Sequence, residues 1–213
     1  MNIIKDHIPF STDCNRRPNI KMVPNSITVH STGNPSSNAK GERKWLENPT
    51  NKRTASWHYV VDEKDIIEAI PPDYVAWHAG DGNGQGNRAS ISIEMCESGN
   101  RQLVLKRTQE LVRYLMNRHN IRKVVRHYDW SKKNCPRILN NDCKWTEWFT
   151  FLAEIFNEKK EGEKMQKVNI VAGTKLIEGI KINNVTYAPV RELSELLGKK
   201  VDWNEKTSTV TLK

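Results

Sequence analysis

Two of the six histidines in the chain stand where a cysteine could join them around one metal ion. His30 ends an apolar, alternating run; His127 follows the short run Lys123-Val-Val-Arg126; and Cys135 lies seven intervening residues beyond His127. Two imidazoles and one thiolate, delivered from strand ends and a loop, would hold Zn²⁺ tetrahedrally and leave the fourth position to water. A zinc ion with an open position lowers the pKa of its water and polarises a carbonyl, which is what amide hydrolysis demands. Spacing alone favours structural histidines, since His30 is nearly a hundred residues from its partners. Cys14, Cys96, Cys135 and Cys143 form no CxxC pair, which favours reduced thiols or metal ligands, with a Cys135–Cys143 bridge as the alternative.

Strands must bring these residues together. Ser26 to Thr32 alternates like a strand and ends at the turn signal Gly33-Asn34-Pro35. Ser56 to Asp62, Asp65 to Ile70 and Ser90 to Met95 read the same way, the last carrying Glu94. The run from Gly80 to Gly86 reads as a flexible loop. Helical spacing appears from Leu103 to His119, with Val104, Leu111, Val112, Leu115 and Met116 on one face. It appears again where Trp145, Trp148, Phe149, Leu152, Ile155 and Phe156 recur at intervals of three and four, a stripe that reads as core. The pattern predicts an α/β fold, a mixed central sheet flanked by helices, over residues 1–156.

Residues 157–167 open with a charged, glycine-containing run and are expected to be a linker. Beyond it, Val168 to Ile170 and Lys181 to Tyr187 read as short strands, with Asn183-Asn184 as a hairpin turn. Pro189 to Gly198 reads as a helix, and Val201 to Trp203 with Ser208 to Leu212 as a final hairpin. Residues 168–213 are therefore expected to form a second, small α+β domain.

The formal net charge of +9 suggests an anionic partner or a solvated basic surface. Lysines and arginines are scattered without interleaved stacking aromatics, which argues against nucleic acid. No apolar run has the length of a signal peptide or a membrane span, so synthesis in the cytoplasm without a secretory leader and without membrane insertion is expected.

The stretch Arg126-His-Tyr-Asp-Trp-Ser-Lys-Lys-Asn-Cys-Pro-Arg137 resembles the zinc-binding segment of the N-acetylmuramoyl-L-alanine amidase family of phage endolysins and bacterial autolysins. Val29-His-Ser-Thr32, Ser56-Trp-His-Tyr59, Trp77-His-Ala-Gly80 and Ile91-Ser-Ile-Glu94 fall in that family's order, so the likeness runs from about residue 20 to residue 155. The resemblance implies hydrolysis of the amide between N-acetylmuramic acid and L-alanine in peptidoglycan, with His30, His127 and Cys135 as zinc ligands. It implies Glu94 as the proton-transferring carboxylate and Lys133 as the oxyanion-stabilising cation, roles consistent with general acid–base and electrostatic catalysis. Taken without it, Glu94 reads as a solvent-facing strand carboxylate and Lys133 as a solvated loop charge. His58, Trp77 and His78 are expected to line the cleft as substrate-binding groups. Action at the wall after release fits a phage or prophage endolysin, a sporulation autolysin or, without catalysis, a peptidoglycan receptor.

Lys181 to Trp203 resembles the stalk-type domain related to the N-terminal domain of copper amine oxidases. The segment holds no histidine or cysteine and so has no imidazole or thiolate for copper. Wall-polymer recognition or self-association is the expectation. The run Glu161-Gly-Glu-Lys-Met165 can be encoded as a ribosome-binding sequence before a start codon, so a shorter product beginning at Met165 is a further expectation.

Overall fold

A computed structural model describes residues 1–156, 166–172, 175–182, 185–204 and 209–213. The chain divides into two compact units, Met1–Asn157 and Glu158–Lys213.

The first unit is built on β1 (Ile4–Lys5), β2 (Ser26–Ser31), β3 (Tyr59–Val61), β4 (Ile66–Glu68), β5 (Ser90–Met95) and β6 (Lys123–Arg126). These form one sheet in the order β1-β4-β3-β5-β2-β6, parallel throughout except for the antiparallel pair β3 and β4. Five helices accompany it: α1 (Ala39–Trp45), α2 (Gln85–Ala89), α3 (Arg101–His119), α4 (His127–Ser131) and α5 (Thr146–Phe156).

Alternation along β2 and β5 sorts their side chains by chemistry. Ile27, Val29, Ile91, Ile93 and Met95 enter a core completed by Leu111, Val112 and Leu115 of α3 and Trp148, Phe151 and Ile155 of α5. Burying each such side chain contributes about 1.5–3 kcal/mol relative to leaving it in water. The intervening residues Ser26, Thr28, His30, Ser90, Ser92 and Glu94 therefore share the opposite face. A second core on that side gathers Ile8, Ala39, Leu46, Trp57, Val60, Ile67 and Ala76. Thr28 Oγ1 and Ser90 Oγ on this face pair with each other, 2.6 Å apart.

Helix α3 starts where the Asn100 side chain accepts from the Leu103 N–H and ends at Asn120 in the left-handed region, φ 52°. In α5 the buried face is Trp148, Phe151 and Ile155, whereas Phe149 and Phe156 are exposed. This corrects the expected stripe: residues 148, 151 and 155 lie within one helical face, and 149 and 156 fall about 100° beyond its members. The strand expected from Ser56 to Asp62 is only Tyr59–Val61. Ser56 and His58 do not continue the ladder: Ser56 N donates to the Trp77 carbonyl, and His58 pairs with the Ser92 side chain and the Tyr74 carbonyl. The expected Gly80–Gly86 loop is a wired turn that runs into α2. There the Asp81 carboxylate accepts from the N–H groups of Gly86 and Asn87.

The second unit contains β7 (Gln166–Ala172), β8 (Lys175–Ile182), β9 (Val185–Tyr187), α6 (Val190–Leu196), β10 (Val201–Asn204) and β11 (Thr209–Leu212). Strands β7-β8-β9 form an antiparallel sheet, and β10 pairs antiparallel with β11. The first strand is longer than expected, and its residues Gln166 and Lys167 belong to β7 rather than to the linker. The rest of the expected linker, Met165 and the Asn183-Asn184 turn lie outside the described residues. No described helix is long and apolar enough to cross a membrane.

Candidate metal centre and cleft

Register delivers the chemistry. In the parallel pairing of β2 with β5, His30 stands directly beside Glu94. Pairing of β2 with β6 matches Val29 to Arg126, so His127, the next residue, emerges beside His30 as the first residue of α4. The C-terminal ends of three adjacent parallel strands thus meet at one point, where open α/β sheets place their ligands. Cys135 closes the group from the loop after α4, with its sulfur 3.4 Å from the Ser31 N–H and its carbonyl accepting from Tyr128 N.

One ligand atom each from His30, His127 and Cys135 lies within 4.8 Å of the others, and all three residues are buried. The Nδ1 atoms of the two histidines are 3.0 Å apart, and Cys135 Sγ is 3.8 Å from His30 Nδ1. Tetrahedral zinc, with bonds of about 2.0–2.1 Å to nitrogen and about 2.3 Å to sulfur, requires ligand separations of about 3.3–3.7 Å. The donor set fits the ion in type and number, and the two separations that involve His30 Nδ1 fall on either side of that range, within about 0.3 Å of it. Glu94 adds a second sign of fit: its Oε1 is 3.8 Å from His30 Nδ1, while its Oε2 is buried with no hydrogen-bond partner.

Burial dominates the local electrostatics. It pushes the Glu94 carboxyl up to about 8, helped by the nearby Glu42 charge and opposed by Lys133. Burial likewise drives His30 and His78 well below the ordinary imidazole range, reinforced by neighbouring imidazoles, and lowers His127 to about 4, with Lys133 adding to the effect. The Cys135 thiol is pushed up to about 12 by burial and then by Glu94, so it keeps its proton until a cation displaces it.

A cavity of about 840 Å³ opens over this group, and Glu94, Lys133, Trp77 and His78 line it with the three candidate ligands. Lys133 is exposed on the loop before Cys135, and its charge is felt at His30, His127, Glu94 and Cys135. His58 is a correction: it is absent from the lining and wholly buried. Its Nε2 lies 2.8 Å from the Tyr74 carbonyl and its Nδ1 accepts from the Ser92 N–H at 2.9 Å, so it joins β5 to the segment preceding Trp77. Both ring nitrogens are used inside the protein.

Sequence reasoning missed the far wall. Trp45 from α1 stacks on Trp57 with centroids 5.5 Å apart, and both line the cavity with Arg53. The segment holding them is anchored by Arg16, whose guanidinium donates to the carbonyls of Leu46 at 2.9 Å, Arg53 at 3.0 Å and Asn51. The seven residues of α1 are too short for an apolar period, and only Asn38, whose side chain caps Gly41 N, signals the helix. Gly80 had a legible signal in Trp-His-Ala-Gly. Its φ is +72°, and a Cβ there would sit 3.3 Å from Ser131 Cβ and 3.5 Å from His127 Nε2, against the metal group itself.

Comparison with known proteins agrees with this geometry. A family model described as N-acetylmuramoyl-L-alanine amidase matches residues 20–138, and one described as copper amine oxidase N-terminal domain matches residues 168–213. The amidase XlyA of Bacillus subtilis (strain 168) is 38% identical over 202 residues, which cover 92% of this chain and 63% of that protein. CwlH of the same organism is 43% identical over 159 residues, covering 71% of this chain and 60% of the relative. The chain thus spans about three fifths of the length of these curated relatives. Among solved structures, the catalytic domain of XlyA aligns with TM-score 0.66 at 42% identity, covering 73% of this chain and 99% of that one. PlyL aligns with TM-score 0.63 at 34% identity, covering 73% and 97%.

Proposed function

The chain belongs to the N-acetylmuramoyl-L-alanine amidase family, and from that membership we propose that it is a zinc-dependent endolysin. On this reading it cleaves the amide between the lactyl group of N-acetylmuramic acid and L-alanine in peptidoglycan. The observation that supports it best is the convergence of His30, His127 and Cys135 beside a buried carboxylate oxygen of Glu94 that has no partner.

Zinc bound by these three residues supplies a Lewis acid for the scissile carbonyl and a more acidic water. Glu94 takes a proton from the attacking water as the new C–O bond forms. Its raised basicity suits that step and the return step, in which the same proton passes to the departing L-alanine nitrogen as the C–N bond breaks. The Lys133 ammonium offsets the negative charge that develops on the carbonyl oxygen. Trp77 gives the cleft an apolar face for sugar or peptide.

Purified protein incubated with bacterial walls tests the reading. Released amino groups without new reducing sugar ends, abolished by chelator or by Cys135→Ala and restored by zinc only in the unsubstituted protein, are expected. New reducing ends, or activity indifferent to chelator, overturn it.

The second unit serves wall binding or self-association in this reading. Exposed Leu176, Leu197, Trp203, Val210 and Leu212 support a role in contact. A shorter product from Met165 would supply free copies of this unit. Mass spectrometry of untagged product decides this: a single full-length species, unchanged by synonymous recoding before Met165, excludes it.

A further inference from the structure

We propose that His78 is a positioning residue that fixes the tautomer of His30 by relaying a hydrogen bond from the Ser90 carbonyl, and so aims the His30 Nδ1 lone pair at the metal. The proposal rests on the zinc reading above and assigns His78 a different task from the substrate contact expected of it.

The assignment follows from which atoms can donate. Ser90 O is a carbonyl and only accepts; it lies 3.2 Å from His78 Nε2, so that nitrogen carries the proton. A neutral imidazole has one N–H, which leaves His78 Nδ1 as an acceptor. That acceptor is 3.1 Å from His30 Nε2, which therefore donates to it. His30 is left with a bare Nδ1, the same atom that faces His127 Nδ1 at 3.0 Å and Cys135 Sγ at 3.8 Å. A ring free to choose would place its proton on either nitrogen, and the Nδ1–H form must be rearranged before a metal can bind.

The relay is held rigidly. The backbone N–H of His78 donates to Asn87 Oδ1 at 2.7 Å, and that amide also accepts from Ala79 N at 2.8 Å. The His78 ring stands edge-on to His30, with centroids 5.1 Å apart and planes at 89°. On its other side it meets His58 with centroids 6.0 Å apart. Both nitrogens of His78 are engaged within the protein, which leaves neither to a substrate although the ring borders the cavity. The Ala79 backbone in turn favours the charged form of the His127 ring, so residues 78 and 79 act on both imidazole ligands.

Two measurements on the full chain test this. In the metal-free protein, ¹⁵N-labelled histidine NMR reads the tautomer directly. A His30 ring protonated on Nε2 is expected, and one protonated on Nδ1 overturns the proposal without any substitution. Zinc affinity by chelator competition is then compared for His78→Phe, which removes the relay, and His78→Asn, whose Oδ1 restores an acceptor near the Nδ1 position. His78→Phe is expected to weaken zinc binding by about 10- to 100-fold, and His78→Asn to stay within about threefold of the unsubstituted protein. Equal affinity in all three proteins, or equal loss in both variants, refutes the relay. Neither readout involves wall hydrolysis, so a correct tautomer without released amines counts against the amidase reaction alone.

Discussion

Replacing Arg16 by methionine should cost about 3 kcal/mol of stability. Arg16 is completely buried, and its guanidinium donates to three backbone carbonyls of the segment between α1 and β3. Hydrogen bonds to a charged group contribute about 1.5–3 kcal/mol each, so the three together represent at most about 9 kcal/mol, by the same scale. Much of this is offset because methionine escapes the desolvation cost of the buried cation, a cost of several kcal/mol. The carbonyls of Arg53 and Asn51 sit in part-buried surroundings and can take water instead, which leaves only the Leu46 carbonyl dry. The net expectation is about 3 kcal/mol, or about 1.5 M off the urea midpoint for a slope of about 2 kcal/mol/M. Equilibrium unfolding followed by tryptophan fluorescence measures it, since six of the seven tryptophans, all but Trp203, lie in the first unit. Arg16→Lys, with one compact charge unable to span three acceptors, should recover less than half of the loss. A midpoint change under about 0.25 M for Arg16→Met would refute the anchoring role, being within the ordinary range of surface substitutions.

Glu94→Gln should retain one zinc per chain and an unchanged melting profile while amide cleavage falls by about 10²–10⁴-fold; metal analysis beside the amine-release assay checks both parts. Lys133→Met should lower kcat by about 10²-fold with KM little altered, because the ammonium acts on charge that develops only during reaction; steady-state kinetics on soluble muropeptide decide it. Glu97→Gln carries a pH signature. Burial alone would raise the Glu97 carboxyl, but Arg137, Ser31 and the Gly33 N–H together hold it below the ordinary range. The stability it confers is therefore fully present above the unfolded-state value and is lost as pH falls through the lower folded value. Urea midpoints of Glu97→Gln should accordingly lie below those of the unsubstituted protein at pH 7 and converge with them in acid, and a gap constant with pH would contradict this.

What was legible in the sequence was whatever repeats at a fixed period or sits in a compact motif. Strands β2 and β5 and helix α3 announced themselves because one face of each is buried in a single core, and His30, Glu94, His127 and Cys135 followed from strand ends and from the Arg126–Arg137 stretch. Helix α1 was illegible because its seven residues make only two turns and are fixed by a cap and by Arg16 nearby rather than by a stripe. His58 was misplaced for a related reason: directly after Trp57, an imidazole looks the same whether it faces a cleft or bridges Ser92 to Tyr74. The inward turn of Phe151 in place of Phe149 reflects a choice of helix phase that several large aromatics left undetermined.

The pairing of His30 with Glu94 across β2 and β5 ties two properties that proteins often keep separate. A slip of β2 by one position would turn Ile27 and Val29 out of their hydrophobic contacts and carry the imidazole to the wrong side of the sheet. Folding errors of this kind cannot yield a sturdy but inert molecule, nor a frail but active one. On the zinc reading proposed above, zinc bound per chain in a purified batch is thus a direct count of chains whose strands have found the correct alignment.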